Sequence, residues 1–289
     1  MISSADEALL AAIARTYAEW TVSPSVEGPQ IRLALEIGAA EGRGESIALV
    51  VDGPQLRMTG TGVEGWADAR SLEARCRIPK ALAARPADLT REVADTLLLF
   101  LLTRSGRVPV HAAGVVIGNT AVVLAGPSGT GKSTLSLAAM ARGLRILSDD
   151  TVYIQLQPSL RIWGFPRPVH VFPADAPRFT DGTRLRAGKL KVAVALPPHP
   201  GPPLADCVAL VLLERGDAVR LEPIERSVAI QALSRLEPGF DLLAEESAAA
   251  IAVLAQAGAW RLTLSRDPVE AVEALLARFG PGSAEAAPI

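Results

Sequence analysis

The segment that most constrains the fold is Gly126-Pro-Ser-Gly-Thr-Gly-Lys-Ser133, which fits the pattern G-x-x-x-x-G-K-[ST] at every position. Apolar patterning predicts a strand over 121–124 before it and a helix over 132–142 after it. The glycines allow the backbone to curl so that successive N–H groups point at phosphate oxygens, and the helix adds the positive end of its dipole. The segment therefore predicts a nucleotide-binding loop in an α/β fold.

The same segment assigns roles to individual side chains. Lys132 would supply a point charge to the β- and γ-phosphates, and the hydroxyl of Ser133 would be a ligand for Mg²⁺. The residues predicted to bind the nucleotide are Gly126, Pro127, Ser128, Gly129, Thr130, Gly131, Lys132, Ser133 and Thr134.

Two adjacent carboxylates, Asp149 and Asp150, end a predicted strand over 145–148, one helix and one turn beyond the loop. Carboxylates at this position suit Mg²⁺ coordination and proton abstraction from a hydroxyl. The alternative is a solvated turn, because Ser-Asp-Asp-Thr is also turn sequence. His111 begins a predicted strand over 110–117, and that position alone is more typical of a structural histidine than of a catalytic one.

The rest of the chain predicts two parts and a tail: a helix plus a β-rich lobe over 1–104, an α/β catalytic domain over 105–280, and a flexible segment over 281–289. A capping box at Ser4-Ala-Asp-Glu7 starts a helix over 5–20, and residues 31–78 alternate like an antiparallel meander. Further strands are predicted over 152–155, 207–213 and 260–264, and further helices over 88–104, 226–236, 244–256 and 268–279.

Composition limits the partners and the compartment. Lys plus Arg number 29 and Asp plus Glu number 31, a net charge of −2, which argues against nucleic acid or an anionic membrane as the main partner. Asp6 and Glu7 stand where a signal peptide would be basic, and no apolar stretch approaches the roughly 20 residues that span a bilayer. Two cysteines are too few for a disulfide framework, so we expect a reduced, cytoplasmic protein.

Taken together, His111, the loop, Arg142-Gly143 and Ser148-Asp-Asp150 resemble the catalytic core of the HPr kinase/phosphorylase family. That family has a histidine opening a strand, G-x-S-G-x-G-K-S, a helix ending in Arg-Gly and an Ala-Asp-Asp strand end. The segment His111-Ala-Ala-Gly and the later Leu204-Ala-Asp-Cys-Val-Ala-Leu-Val-Leu-Leu-Glu-Arg215 are similar to the shorter HPr-kinase-like proteins. Several of those are encoded with ribosomally made peptides such as lasso peptides.

The resemblance implies a phosphoenolpyruvate-carboxykinase-like mixed sheet and an ATP- and Mg²⁺-dependent serine kinase acting on a protein or peptide. Lys132 would hold the transferring phosphate, and Ser133 with Asp149 would face the metal. Asp150 would take the proton of the acceptor serine, with His111 beside it. The HPr-modifying relatives are hexameric, so the resemblance is compatible with a homo-oligomer.

The chain departs from that family around Arg161-Ile-Trp-Gly-Phe-Pro-Arg-Pro168, where the HPr enzymes have a Glu-bearing segment and where no equivalent Glu is found. This favours a precursor peptide over HPr as the acceptor, and it argues against the reverse phosphorylase reaction. Two other hypotheses stay open: a general P-loop ATPase or GTPase with Glu214 as its acidic residue, and a nucleotide-sensing module.

A cluster of cations adds one further candidate surface. Arg178, Arg184, Arg186, Lys189 and Lys191 are opposed only by Asp181 within their segment. They would clamp phosphates or receive an acidic acceptor, or else form a solvated loop. Arg167, between two prolines, presents the same pair of alternatives.

Overall fold

The fold is described by a computed structural model covering residues 1–17, 30–39, 42, 47–165, 167–173, 181–186, 189–197, 199, 204–236 and 244–281. The chain forms two compact units, Met1–Arg107 and Val108–Ile289. The assignment of a separate role to each part stays a prediction. No helix among these residues is both long enough and apolar enough to cross a bilayer.

The first unit contains a six-stranded sheet and a group of helices. Its elements are β1 (Ile2–Ser3), α1 (Glu7–Thr16), β2 (Arg32–Gly38), β3 (Ala48–Asp52), β4 (Gln55–Gly60), β5 (Val63–Asp68), β6 (Glu73–Pro79), α2 (Lys80–Ala83), α3 (Pro86–Leu89), a π-helical turn (Thr90–Ala94) and α4 (Asp95–Arg104). Strands β4 and β5 alternate between buried and exposed residues, as expected for a sheet with one face on the core.

Two details of this unit differ from the sequence prediction. The N-cap of α1 is Asp6, whose carboxylate accepts a hydrogen bond from the Leu9 amide at 2.8 Å, whereas Ser4 caps the preceding turn by accepting from Asp6. The meander is antiparallel only from β3 to β6, because β2 pairs in parallel with β6 and the strand order is β1-β2-β6-β5-β4-β3. Alternation within a strand does not reveal which strand it pairs with, so the sequence could not show this crossover.

The second unit is an α/β structure with three sheets. Its elements are β7 (Arg107–Val110), β8 (Ala112–Ile117), β9 (Thr120–Ala125), α5 (Lys132–Ala141), β10 (Arg145–Ser148), β11 (Val152–Gln155), β12 (Arg161–Gly164), β13 (Val169–Val171), β14 (Asp181–Arg186), β15 (Lys189–Val194), β16 (Leu204–Ala205), β17 (Cys207–Arg215), β18 (Arg220–Pro223), α6 (Arg226–Leu236), α7 (Ala244–Gln256), β19 (Ala259–Leu264) and α8 (Pro268–Phe279).

The largest sheet of this unit is mixed, with the order β10-β8-β9-β17-β19-β18. Strand β17 pairs in parallel with both β9 and β19, whereas β8 is antiparallel to both β9 and β10. A run of six buried apolar residues in β17 reflects its central place, with both faces covered. One face of the sheet packs on α6, α7 and the four-stranded sheet β16-β12-β11-β7, and the other packs on α5, α8 and β13–β15.

The predicted mixed α/β architecture is confirmed, and the helices predicted over 226–236, 244–256 and 268–279 have those same bounds. The strand predicted over 110–117 is wrong as one element, because a bend at His111 separates β7 from β8 and each belongs to a different sheet. The phosphoenolpyruvate-carboxykinase-like assignment stays a prediction. Residues 18–20 of the first predicted helix, Arg178 of the basic segment and residues 282–289 of the tail lie outside the described residues.

Gly164 sets how closely two sheets of the second unit approach each other. It ends β12, and a Cβ atom added there would lie 2.1 Å from the backbone oxygen of Leu147 in β10. Contacts that short do not occur, so only glycine allows β12 to pass this close to the strand that leads into Asp149.

We expect Gly164→Ala to destabilise the protein by about 2 kcal/mol or more, because backbone atoms must move to admit the methyl group. Gly143→Ala is the matched control: its φ is +75° and no atom lies within 4 Å of its added Cβ. This substitution should lower the free energy of unfolding by only about 1 kcal/mol, because alanine is less stable than glycine in a left-handed backbone conformation. Urea unfolding of both variants measures the difference, and equal losses would show that the close approach is not a constraint.

Candidate functional site

Three strand ends meet at one edge of the large sheet of the second unit. Because β8 runs antiparallel to both of its neighbours, its beginning lies at the same edge as the ends of β9 and β10. His111 precedes β8, the segment Gly126–Ser133 follows β9, and Asp149 with Asp150 follow β10. The topology therefore brings together residues that lie up to 39 positions apart in the sequence numbering.

The segment 126–133, called the glycine loop from here on, is a tight turn leading into α5. Gly129 and Gly131 have φ values of +85° and +119°, which favour glycine. The Thr130 amide and hydroxyl both donate to the Pro127 carbonyl, at 3.1 and 2.7 Å. Gly126 packs against β17, since an added Cβ would lie 3.1 Å from the Leu213 oxygen. The loop therefore has a defined shape held by its own backbone.

Lys132 is the first residue of α5 and is buried at the glycine loop, with 8% of its surface exposed. Its ammonium group donates to the Gly126 carbonyl at 2.5 Å and lies 3.5 Å from the Pro127 carbonyl. A positive charge is thus held against the loop backbone by oxygen atoms of the loop itself.

Ser133 and Asp149 are in direct contact. The Ser133 hydroxyl donates to Asp149 Oδ2 at 2.9 Å, and the His170 amide approaches the same oxygen at 3.4 Å. Asp149 is buried, and its other oxygen, Oδ1, accepts no hydrogen bond from the described part of the chain. Burial, reinforced by the neighbouring Asp150 charge, raises the pKa of the Asp149 carboxyl above its usual value, against the opposing effect of the Ser133 hydroxyl, the His170 amide and the Ser136 hydroxyl.

Asp150 lies beside Asp149 but is exposed, and its side chain is near His111. The distance between His111 Nδ1 and Asp150 Oδ1 is 3.5 Å, and 38% and 55% of the two side chains are exposed. The Ser148 hydroxyl accepts from the amides of Asp150 and Thr151 at 3.4 and 3.2 Å, which fixes the turn after β10. The two carboxylates therefore have different environments, one buried at the loop and one open to a reactant.

A segment between β12 and β13 borders these carboxylates. The Ser148 hydroxyl donates to the Phe165 carbonyl at 3.2 Å, and the Arg167 guanidinium lies 4.3 Å from the centre of the Phe165 ring. Sequence reasoning missed His170, whose amide reaches Asp149, because a backbone donor from a distant strand leaves no signature in residue types. Ser136, one turn after Ser133, has a buried hydroxyl near enough to Asp149 to lower the pKa of that carboxyl, although it makes no well-formed hydrogen bond with any described residue.

The donor set fits Mg²⁺. A hydroxyl and a carboxylate stand side by side in Ser133 and Asp149, and the unbonded Oδ1 is a buried oxygen that a cation would satisfy. Among the described residues no cluster of three or more His, Cys, Asp or Glu side chains forms a metal cage. Mg²⁺ is commonly held by one or two carboxylates together with substrate phosphates and water.

Glu214, the acidic residue of the ATPase alternative, is engaged elsewhere. Its carboxylate accepts from the Thr263 hydroxyl at 3.0 Å and lies 3.4 Å from Arg261 Nε, both on β19. Among the residues predicted for catalysis or metal binding, the structure brings Ser133 to Asp149 and His111 to Asp150, and it places Lys132 on the loop. Their chemical roles stay predictions.

Comparison with known proteins gives little beyond this geometry. No protein-family model matches the sequence. A search among curated proteins finds no similar sequence. Among solved structures, an Hpr(Ser) kinase/phosphatase from Coxiella burnetii is similar over 58% of this chain and 93% of its own, with 15% identity and a TM-score of 0.27. A TM-score this low supports no argument about activity.

We expect Asp149→Asn to stabilise the nucleotide-free protein at neutral pH by roughly 1 kcal/mol, because a neutral amide costs less to bury than a carboxylate. Since burial raises the pKa of Asp149, its destabilising charge is present in full above the raised pKa and disappears as the pH falls below the usual 3.8. The advantage of the variant over the wild type should therefore shrink on acidification.

Urea unfolding of both proteins from pH 7 to pH 4 measures this difference. Asp217→Asn removes a charge at an exposed position and is the control, with an expected effect within about 0.5 kcal/mol. An Asp149→Asn variant less stable than the wild type at neutral pH would contradict the account of the buried carboxylate.

Proposed function

We propose that the chain is an ATP-dependent serine kinase that transfers the γ-phosphate to a serine hydroxyl of a protein or peptide. The observation that carries the proposal is the contact of Ser133 with the buried Asp149 at the start of the helix after the glycine loop, with the exposed Asp150 next to it. A phosphate-binding loop, a pair of metal-ligating oxygens and a base near the acceptor hydroxyl are the parts that phosphoryl transfer needs.

The glycine loop would bind the phosphates of ATP. Backbone N–H groups of the loop and the N-terminal end of α5 supply partial positive charge, and Lys132 supplies a full one. The ammonium of Lys132 already lies against the loop, where it would contact phosphate oxygens in place of the Gly126 carbonyl. Preorganised charge of this kind stabilises a transition state without further rearrangement.

Ser133 and Asp149 would hold Mg²⁺. Bound there, the cation would neutralise charge developing on the phosphate oxygens. Asp149 is buried and oriented by two donors, the Ser133 hydroxyl and the His170 amide, so its carboxylate keeps one position while ligands exchange. The unbonded Oδ1 is the oxygen most in need of a partner.

Asp150 would be the base for the acceptor. As the serine oxygen forms its bond to the γ-phosphorus, the bond from that phosphorus to the bridging oxygen of ADP breaks, and the serine proton passes to the Asp150 carboxylate. His111, whose Nδ1 lies 3.5 Å from that carboxylate, would orient it by donating a hydrogen bond to it. The exposure of Asp150 leaves room for an incoming hydroxyl.

The acceptor we favour is a ribosomally made precursor peptide, on the resemblance of the His111–Asp150 region to the shorter HPr-kinase-like proteins. A carrier protein of the HPr type is the alternative acceptor. The ATPase alternative has less support, because the Glu214 carboxylate is engaged by Arg261 and Thr263.

Asp150→Asn should abolish phosphoryl transfer, lowering it by at least about 100-fold, while ATP affinity stays within about twofold, because the base is lost and the loop is intact. Transfer of label from γ-labelled ATP to serine peptides measures the first quantity, and equilibrium titration with ATP measures the second.

Lys132→Ala should instead weaken ATP binding, roughly 10- to 100-fold, by removing a charge-assisted contact.

Glu214→Gln is the control that separates the kinase from the ATPase alternative. The kinase proposal expects near wild-type transfer from it, since Glu214 pairs with β19. Transfer by Asp150→Asn at the wild-type rate would refute Asp150 as the base. Loss of all nucleotide turnover in Glu214→Gln together with unchanged turnover in Asp150→Asn would favour the ATPase.

A further inference from the structure

We propose that Phe172 and Lys191 form a docking point for the acceptor peptide, which takes an apolar side chain next to an acidic one within about five residues of the acceptor serine. This inference rests on the proposed kinase function and names the substrate class that the same site would select.

Phe172 is an apolar side chain that the fold leaves open. It follows β13 directly, and 45% of its surface is exposed, although β13 itself contributes Val169 and Val171 to the core. Because side chains alternate along a strand, His170 and Phe172 face away from that core. The Phe172 side chain is therefore available for contact with a bound peptide, on the outer face of a strand beside the candidate site.

The surface lies close to the candidate base. The His170 amide contacts Asp149 Oδ2 at 3.4 Å, Asp150 is the next residue in the chain, and Phe172 is two residues beyond His170. The path from the Asp150 Cα through these atoms to the Phe172 Cα is at most about 19 Å, which an extended peptide covers in about five to six residues. A serine at Asp150 and a side chain on Phe172 can therefore belong to one short segment.

The charge beside Phe172 is positive. The Lys191 ammonium lies 5.7 Å from the centre of the Phe172 ring, and Lys191 makes no ion pair with any residue whose side chain the structure describes. In the β14–β15 pairing the residue in register with Lys191 is Arg184, whereas Asp181, the only acid of that segment, is in register with Ala193. The partner that complements this position is an acidic residue next to an apolar one.

Leu190 provides a matched control within the same hairpin. It is also exposed, at 55%, but it lies on the same face of β15 as the buried Val192 and Val194. Its side chain is therefore on the face opposite to Lys191. An effect specific to the proposed surface should appear in Phe172→Ala and not in Leu190→Ala.

The test uses the full chain, Mg²⁺-ATP and a series of synthetic serine peptides that carry a Leu-Glu pair at each position from five residues before to five residues after the serine. We expect one or two placements to raise kcat/KM roughly 10- to 100-fold, the range that burial of one large apolar side chain supplies, mainly through KM. Phe172→Ala should remove this preference and Leu190→Ala should keep it. Lys191→Glu should shift the preference from Leu-Glu to Leu-Lys.

The outcomes separate the two proposals. Transfer without positional preference in the wild type, or a preference unchanged in Phe172→Ala, would overturn the docking point and leave the kinase proposal standing. Absence of transfer to any peptide, despite ATP binding, would refute the acceptor class and the docking point together. Loss of the preference in Leu190→Ala as strongly as in Phe172→Ala would also overturn the assignment to this face.

Discussion

The candidate site depends on the position of β8, which lies between β9 and β10 and runs antiparallel to both. Only this arrangement puts the start of one strand and the ends of two others at a single edge of the sheet. The hydrogen bond from Ser133 to Asp149 then ties the helix after the glycine loop to the turn after β10. Gly164 contributes from outside the sheet, because it lets β12 approach the backbone of Leu147 just before that turn.

The two neighbouring aspartates illustrate how one turn creates two chemical environments. Asp149 is buried, keeps an oxygen without a hydrogen bond in the described part of the chain and has a raised pKa because of that burial. Asp150 is more than half exposed and near His111. A buried carboxylate oxygen without a hydrogen bond destabilises the folded protein. Groups of this kind are found mainly at functional sites, where a ligand can satisfy them. A buried ligand-holding carboxylate beside an open base is consistent with the proposed chemistry.

Much of this arrangement could be predicted from the sequence, because it depends on local signals. The pattern of Gly126–Ser133 located the loop, and 3.6-residue periodicity located the helices of the second unit. Pairing between distant strands could not be predicted, because the alternation of apolar and polar residues within a strand does not indicate which strand it pairs with. Examples are the parallel pairing of β2 with β6 and the change of sheet between β7 and β8 at His111. The amide of His170 on Asp149 was equally unreadable, because every residue except proline has such a donor.

The most direct test of the central claim is the position of the metal in a crystal of the chain with a non-hydrolysable ATP analogue and Mn²⁺, whose anomalous signal locates the ion. The account predicts the ion within about 2.3 Å of Ser133 Oγ and of an Asp149 oxygen, with the terminal phosphate in the glycine loop and Asp150 beside it. An ion bound away from Ser133 and Asp149, or a nucleotide bound outside the loop, would contradict the account.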